Sequence, residues 1–190
     1  MNHLPAPLLA AIRELDELGK SRDDAWQVSA EQGRMLYQLA VLHRPAVIVE
    51  VGTSYGFSGL HWVAALLPTG GRLHTIDVSR KKFDSAKATF VEAGVGHVVT
   101  SHLGPAQEVL PTIPGPIDLA FVDADKDATQ SYFDLLWPKV RVGGSVVVDN
   151  ACTHRKELAA YVQAVRARPD ATSVELPVGN GVEWTVRVGA

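Results

Sequence analysis

The feature that most constrains this chain is a regular alternation of short β-branched runs with helical periods, from Pro45 to about Ala167. Ala46-Val-Ile-Val-Glu-Val51, set between Pro45 and Gly52, has the nearly unbroken apolar character of a strand covered on both faces. Further strand-like runs cover residues 73–78, 97–102, 117–122 and 145–148, and helical stretches are expected at 57–67, 81–93, 129–137 and 155–167. A parallel strand pair needs a crossover long enough for a helix, so this alternation predicts an α/β doubly wound sheet. The pattern then changes. Residues 173–177 and 182–188 are two strand-like runs joined through Gly179-Asn-Gly181 without a helix, which predicts an antiparallel C-terminal hairpin. The expected sheet is therefore seven-stranded and mostly parallel.

Two helices are expected before the first strand. Leu8, Leu9, Ile12, Leu15 and Leu18 recur at helical spacing over residues 6–18, ahead of Gly19. This places a lid or a dimer contact in the N-terminal segment 1–28. Ser29-Ala-Glu-Gln32 has the form of a capping box opening a helix to about Leu42. A length of 190 residues without linker or repeat fits a single domain, 1–190.

Composition excludes several classes of partner. Eighteen basic against 21 acidic residues leave a net charge of −3, without the positive field that phosphate-backbone contacts require. The run Arg80-Lys-Lys82 reads as a solvated helix start. Cys152 is the single cysteine, so no intrachain disulfide forms. No segment approaches the ~20 apolar residues of a membrane span, and Met1-Asn-His-Leu-Pro-Ala-Pro has no signal-peptide pattern. A cytoplasmic protein without nucleic-acid or membrane partners is expected.

Three segments carry chemistry. Glu50-Val-Gly-Thr-Ser-Tyr-Gly-Phe-Ser-Gly59 sits where the first strand gives way to its helix, and its glycines would let backbone approach a ligand. Gly52, Gly56 and Gly59 do not have the Gly-x-Gly-x-x-Gly spacing of dinucleotide sites, and a plain tight turn also accounts for them. Asp77 ends the second strand, where a carboxylate can accept from ribose hydroxyls or cap the next helix. Asp123-Ala-Asp125-Lys126 follows the fourth strand and Asp149-Asn150 the fifth. Ligands of such sheets bind outside the carboxyl ends of the strands, so Asp123, Asp149 and Asn150 should converge there. Carboxylate and amide oxygens suit a hard cation such as Mg²⁺, although Asp and Asn also commonly begin loops.

On Phe121-Val-Asp-Ala-Asp-Lys-Asp127 and Val148-Asp-Asn150 the chain resembles the catechol and caffeoyl-coenzyme A type of O-methyltransferase, a metal-dependent branch of the class I methyltransferases that use S-adenosylmethionine (SAM). The likeness runs from Val28-Ser-Ala-Glu-Gln-Gly33 to the terminal hairpin, and implies the family's Rossmann-like fold. It implies a SAM site formed by Glu50, Gly52, Thr53, Ser58, Asp77, Val78, Gly104, Pro105, Ala106 and Asp123, with Asp77 on the ribose and Ala106 towards the adenine. It further implies Asp123, Asp149 and Asn150 as ligands of a divalent cation, Mg²⁺ before Ca²⁺ or Mn²⁺. Asp123 and Lys126 would be catalytic, Lys126 deprotonating the hydroxyl of a small-molecule acceptor, in a homodimer.

Departures from the family pattern bear on the acceptor. Ser54 stands where many SAM-binding turns carry another glycine. Only Ala-Cys-Thr-His-Arg stands between Asn150 and Lys156, so the acceptor pocket should be more open, or completed by a partner's N-terminal segment. Val174-Glu175 lacks the acidic-aromatic pair of catechol-specific relatives. His154, close after Asp149-Asn150, is read as a solvent-facing helix-start residue ahead of one touching substrate or metal, and Cys152 as a small buried residue ahead of a reactive one, with Trp62, Trp137 and Trp184 in the core and Trp26 at the acceptor pocket. Three other readings share parts of the pattern: a metal-independent SAM methyltransferase, a non-catalytic SAM-binding module and a nicotinamide-dependent dehydrogenase. Lys126 and the three oxygen ligands disfavour the module, and the glycine spacing with Asp149-Asn150 disfavours the dehydrogenase. A serine hydrolase fails for want of a Gly-x-Ser-x-Gly elbow.

Overall fold

The computed structural model describes residues 3–189; Met1, Asn2 and Ala190, which belong to the domain and N-terminal segment read from the sequence, lie outside them. Two helices come first, α1 (Ala6–Ser21) and α2 (Ala30–His43). The alternating units follow as β1 (Val47–Val51), α3 (Phe57–Leu66), β2 (Arg72–Asp77), α4 (Arg80–Glu92), β3 (Val99–Leu103), α5 (Ala106–Val109), β4 (Ile117–Val122), α6 (Thr129–Leu136), β5 (Val140–Asp149) and α7 (Ala159–Arg166). The chain closes with β6 (Ala171–Leu176) and β7 (Val182–Arg187).

The strands form one seven-stranded sheet in the order β3-β2-β1-β4-β5-β7-β6, parallel through β5 and antiparallel from there on. Side chains of β1 and β4 alternate between two apolar layers, as strand geometry requires. Ile48, Leu119, Phe121 and Val147 face α1–α4, whereas Val49, Val51, Ala120, Val122 and Val148 face α5–α7. In the first of these layers α3 is buried along its whole length. Asp118 fastens the start of the sheet: Oδ2 accepts from the N–H groups of Ala46 and Val47 at 2.8 and 2.9 Å, and Oδ1 pairs with Arg141.

Several boundaries differ from those expected. α1 runs past Gly19 to Ser21, because the bare face of Gly19 is where the Gln27 side chain packs to reach the Leu15 carbonyl at 2.7 Å. Leu8 and Leu15 of α1 are buried against this chain's own core. β5 begins at Val140, five residues early, since a register shift opposite Ile117 and Leu119 accommodates Gly143-Gly144 inside the strand. The helix expected from residue 155 starts only at Ala159, and turns anchored by His154 N–H on the Asn150 carbonyl fill the interval. β3 starts at Val99 after a 3₁₀ turn at Gly96–Val98. No described helix is long and apolar enough to cross a membrane.

Candidate active site

Chain reversal in strand order occurs between β1 and β4, and a cavity of about 880 Å³ opens there, beyond the carboxyl ends of the strands. β1 delivers the chain to Gly52, whose φ of +98° and close approach to the Asp123 carbonyl leave no room for a side chain. Ser54 follows in the left-handed region at φ 48°, where glycine is the usual occupant, and its hydroxyl donates to the Ala25 carbonyl. Gly56, at φ 95°, then caps α3, whose first free N–H groups lie at this end of the cavity.

Around this turn the polar groups are largely satisfied. Asp77 accepts from Ser54 N–H through Oδ2 and from Ser79 N–H through Oδ1, both at 2.8 Å, so its carboxylate is held by backbone on two sides. Thr53 and Thr75 share a hydrogen bond of 2.6 Å, and the Thr75 hydroxyl donates to Glu50 Oε2 at 2.6 Å. Gly104, at φ 146°, donates its N–H to the Asp77 carbonyl and turns the chain into Pro105 and Ala106.

The other end of the cavity is acidic. Lys126 Nζ sits 2.9 Å from Asp123 Oδ1, and both side chains are largely buried. Asp149 is 1% exposed and accepts from Gln32 Nε2 through Oδ1. Its carboxyl is pushed up to about 6, first by burial and then by the charge of Asp123, against the pull of Gln32 and Lys126. Asn150 takes φ 68° and donates its amide to the Thr153 hydroxyl at 3.3 Å, leaving its oxygen without that engagement. Among the described residues no group of three or more His, Cys, Asp and Glu is placed to hold a metal. What converges is two carboxylates and one amide.

Nine of the expected cofactor residues line this cavity, namely Gly52, Thr53, Ser58, Asp77, Val78, Gly104, Pro105, Ala106 and Asp123, together with Lys126, Asp149 and Asn150. Glu50 does not line it. The side chain is fully buried below the turn, Oε1 has no hydrogen-bond partner among the described residues, and burial pushes the carboxyl up to about 7. Asp125 is exposed and accepts from Asp127 N–H at 3.1 Å, a local turn bond.

Other lining residues were not anticipated or were read differently. His154 faces the cavity instead of opening a helix. Lys82, read as part of a solvated basic run, places Nζ 4.4 Å from the centroid of the Trp26 ring at the rim. Trp26 itself is 79% exposed. Tyr132 and Asn180 also line the cavity; an Asn within a hairpin turn and a Tyr within a helix carry no sequence signal for a site. Cys152 is half-buried between Glu175 and Arg155, not enclosed as expected. Trp62 and Trp137 are core residues, and Trp184 is only partly buried.

Comparison with known proteins identifies the family. The sequence model of the O-methyltransferase family matches residues 6–180. A catechol O-methyltransferase of Niastella koreensis is 36% identical over 155 residues, covering 80% of this chain and 68% of that protein. Caffeoyl-CoA O-methyltransferase 2 of Zea mays is 32% identical, covering 94% and 76%. Among solved structures, the O-methyltransferase TomG from Streptomyces achromogenes, in complex with SAM, superposes with a TM-score of 0.82 at 32% identity, covering 94% of this chain and 90% of that one. With its switch-point crevice and this match along nearly its whole length, the chain belongs to the O-methyltransferase family.

Proposed function

We propose that this chain transfers a methyl group from SAM to a hydroxyl of a small phenolic or catechol-like molecule, assisted by a divalent cation. One observation carries the reading: a single cavity has a backbone-built, glycine-lined end at Gly52, Asp77 and Gly104–Ala106, and an acidic end with one lysine at Asp123, Lys126, Asp149 and Asn150. Its volume of about 880 Å³ falls in the range of small-molecule sites and leaves space for an acceptor beside a nucleoside. The SAM complex of TomG supports the choice of cofactor, and the names of the Niastella and Zea relatives support a hydroxylated aromatic acceptor.

SAM is assigned to the glycine-lined end, its ribose hydroxyls to Asp77 and its adenine to the turn at Gly104–Ala106. The acidic end fits a hard cation by its donor set, two carboxylates and an amide oxygen, and by the burial and the neighbouring Asp123 charge that raise the Asp149 carboxyl. Mg²⁺ is our first choice, and Asp123, Asp149 and Asn150 would hold it. A phenol titrates near ~10, and a divalent cation bound there would stabilise its oxyanion. We assign to Lys126, in its uncharged form, the role of taking the hydroxyl proton at Nζ, and the 2.9 Å contact with Asp123 Oδ1 keeps that nitrogen at the acidic end of the cavity. The acceptor oxygen then bonds to the methyl carbon as the carbon–sulfur bond breaks and its electron pair returns to sulfur. What the fold contributes is alignment of the two reactants in one enclosure.

We also read the enzyme as a cytoplasmic homodimer: the lone cysteine suits a reducing compartment, and Val41 and Leu42 leave an exposed apolar spot at the end of α2. Calorimetry with S-adenosylhomocysteine (SAH), NAD and Mg²⁺ tests the core reading. SAH binding without NAD binding is expected, and NAD binding without SAH binding would remove the methyltransferase assignment.

A further inference from the structure

Gln32 lies in the first turn of α2, fully buried, and is separated from Asp149 by 117 residues. Only half of the capping box exists. Ser29 Oγ accepts the Gln32 backbone N–H at 3.1 Å, but the Gln32 amide, instead of returning to Ser29, extends to Asp149 Oδ1 at 2.5 Å.

This placement has a cost. Gln32 Oε1 is buried without a partner among the described residues, and an orphaned amide oxygen of that kind is destabilising because its desolvation is not compensated. An apolar side chain of similar volume would fill the space without it. What such a side chain lacks is an N–H for Asp149. The neighbourhood also restricts the amide to one orientation. A side chain on Gly179 would strike Gln32 Oε1 and Ser29 Oγ, so the loop before β7 packs directly on the amide. A side chain on Gly33 would strike the His61 ring, so this turn of α2 is seated closely on α3. With Oδ1 engaged by Gln32, Oδ2 is the carboxylate oxygen left for an occupant of the cavity that Asp149 lines.

We propose that Gln32 is a positioning residue for Asp149, fixing the plane of its carboxylate so that Oδ2 is presented to the cation. This rests on the reading of Asp149 as a metal ligand. Groups that orient metal ligands commonly contribute ten- to a hundredfold to metal affinity or activity.

The test is calorimetric titration of the SAH complex with Mn²⁺, for wild type and for Gln32→Met, which keeps the shape and removes the donor. About tenfold weaker Mn²⁺ binding is expected, with SAH affinity unchanged within about twofold. Gln32→His, assayed at pH 8, returns an N–H at a similar reach and should recover most of the Mn²⁺ affinity, a rescue that a purely structural role would not give. If Gln32→Met does not fold, Gln32→Ala removes the donor without overpacking. Unchanged Mn²⁺ affinity in the donor-less variant, or His no better than Met, would overturn the assignment. Absence of Mn²⁺ binding in wild type would instead remove the metal reading itself, and the two failures are thereby separate.

Discussion

The two ends of the cavity are built on opposite principles. At the β1–β2 end the backbone shapes the site: Gly52, Ser54 and Gly56 adopt positive φ, and both oxygens of Asp77 are already engaged by N–H groups. At the β4–β5 end side chains shape it, and like charges face each other, with Asp149 held high beside Asp123 and a single lysine to offset them. A satisfied end is rigid before anything binds and suits a constant cofactor, whereas an end with unbalanced charge gains most when a cation arrives. On the proposed function, recognition falls to the first and chemistry to the second.

Substitutions at the acidic end should therefore damage turnover and leave cofactor binding intact. The largest effect is expected from Asp149→Ala, which should lower metal-stimulated methylation by about a thousandfold, the worth of a few kcal/mol of charge stabilisation, while calorimetry still records SAH binding. Lys126→Met should lower kcat by roughly a hundredfold, as loss of a general base does, with KM for SAM unchanged in steady-state kinetics. A rise in KM for SAM alone would blur the division between the ends.

The glycine-lined end should behave in the opposite way. Gly52→Ala forces a methyl group towards the Asp123 carbonyl at φ +98°, and should weaken SAH binding and lower stability together by about 1–3 kcal/mol, read by calorimetry and thermal melting. Glu50 is the exception to the satisfied character of this end, and predicts the smallest effect. Its carboxyl is raised from 4.5 to about 7, so between those values the folded chain holds a proton that the unfolded chain has released. The ligand-free fold thus loses stability from this group as pH rises through that window, and above it the whole loss stands. Glu50→Gln removes this dependence. Relative to wild type the variant should gain on the order of 2 kcal/mol between pH 5 and pH 8, measured by urea melts at each pH. A difference independent of pH would place the ionised carboxylate in a better-solvated setting than its burial indicates.

Much of the acidic end was legible in the sequence because strand ends are. β1 and β4 announce themselves as β-branched runs, and the polar residues immediately after β4 and β5 must emerge at the same edge of a parallel sheet. Residues brought to the cavity from elsewhere gave no such signal. Gln32 looked like a helix cap because the Ser-x-x-Gln spacing is the same whether the amide returns to its own helix or crosses to Asp149. Lys82 looked solvated because a basic run says nothing about the tryptophan that another loop sets over it. Gly19 and Gly143-Gly144 misplaced boundaries for a related reason: glycine ends an element in isolation, yet here its missing side chain admits Gln27 in one case and a strand irregularity in the other. Glu50 lies in the glycine turn's sequence but under its floor, a distinction that depends on which face of β1 looks into the core.

The most direct test of the account is transfer of an isotope-labelled methyl group from SAM to a panel of vicinal diphenols, run with Mg²⁺ and with a chelator. Labelled mono-methyl ether that forms with Mg²⁺ and falls to background in chelator is the predicted result. Equal product in chelator would contradict the division of the cavity into a cofactor end and a metal-assisted end.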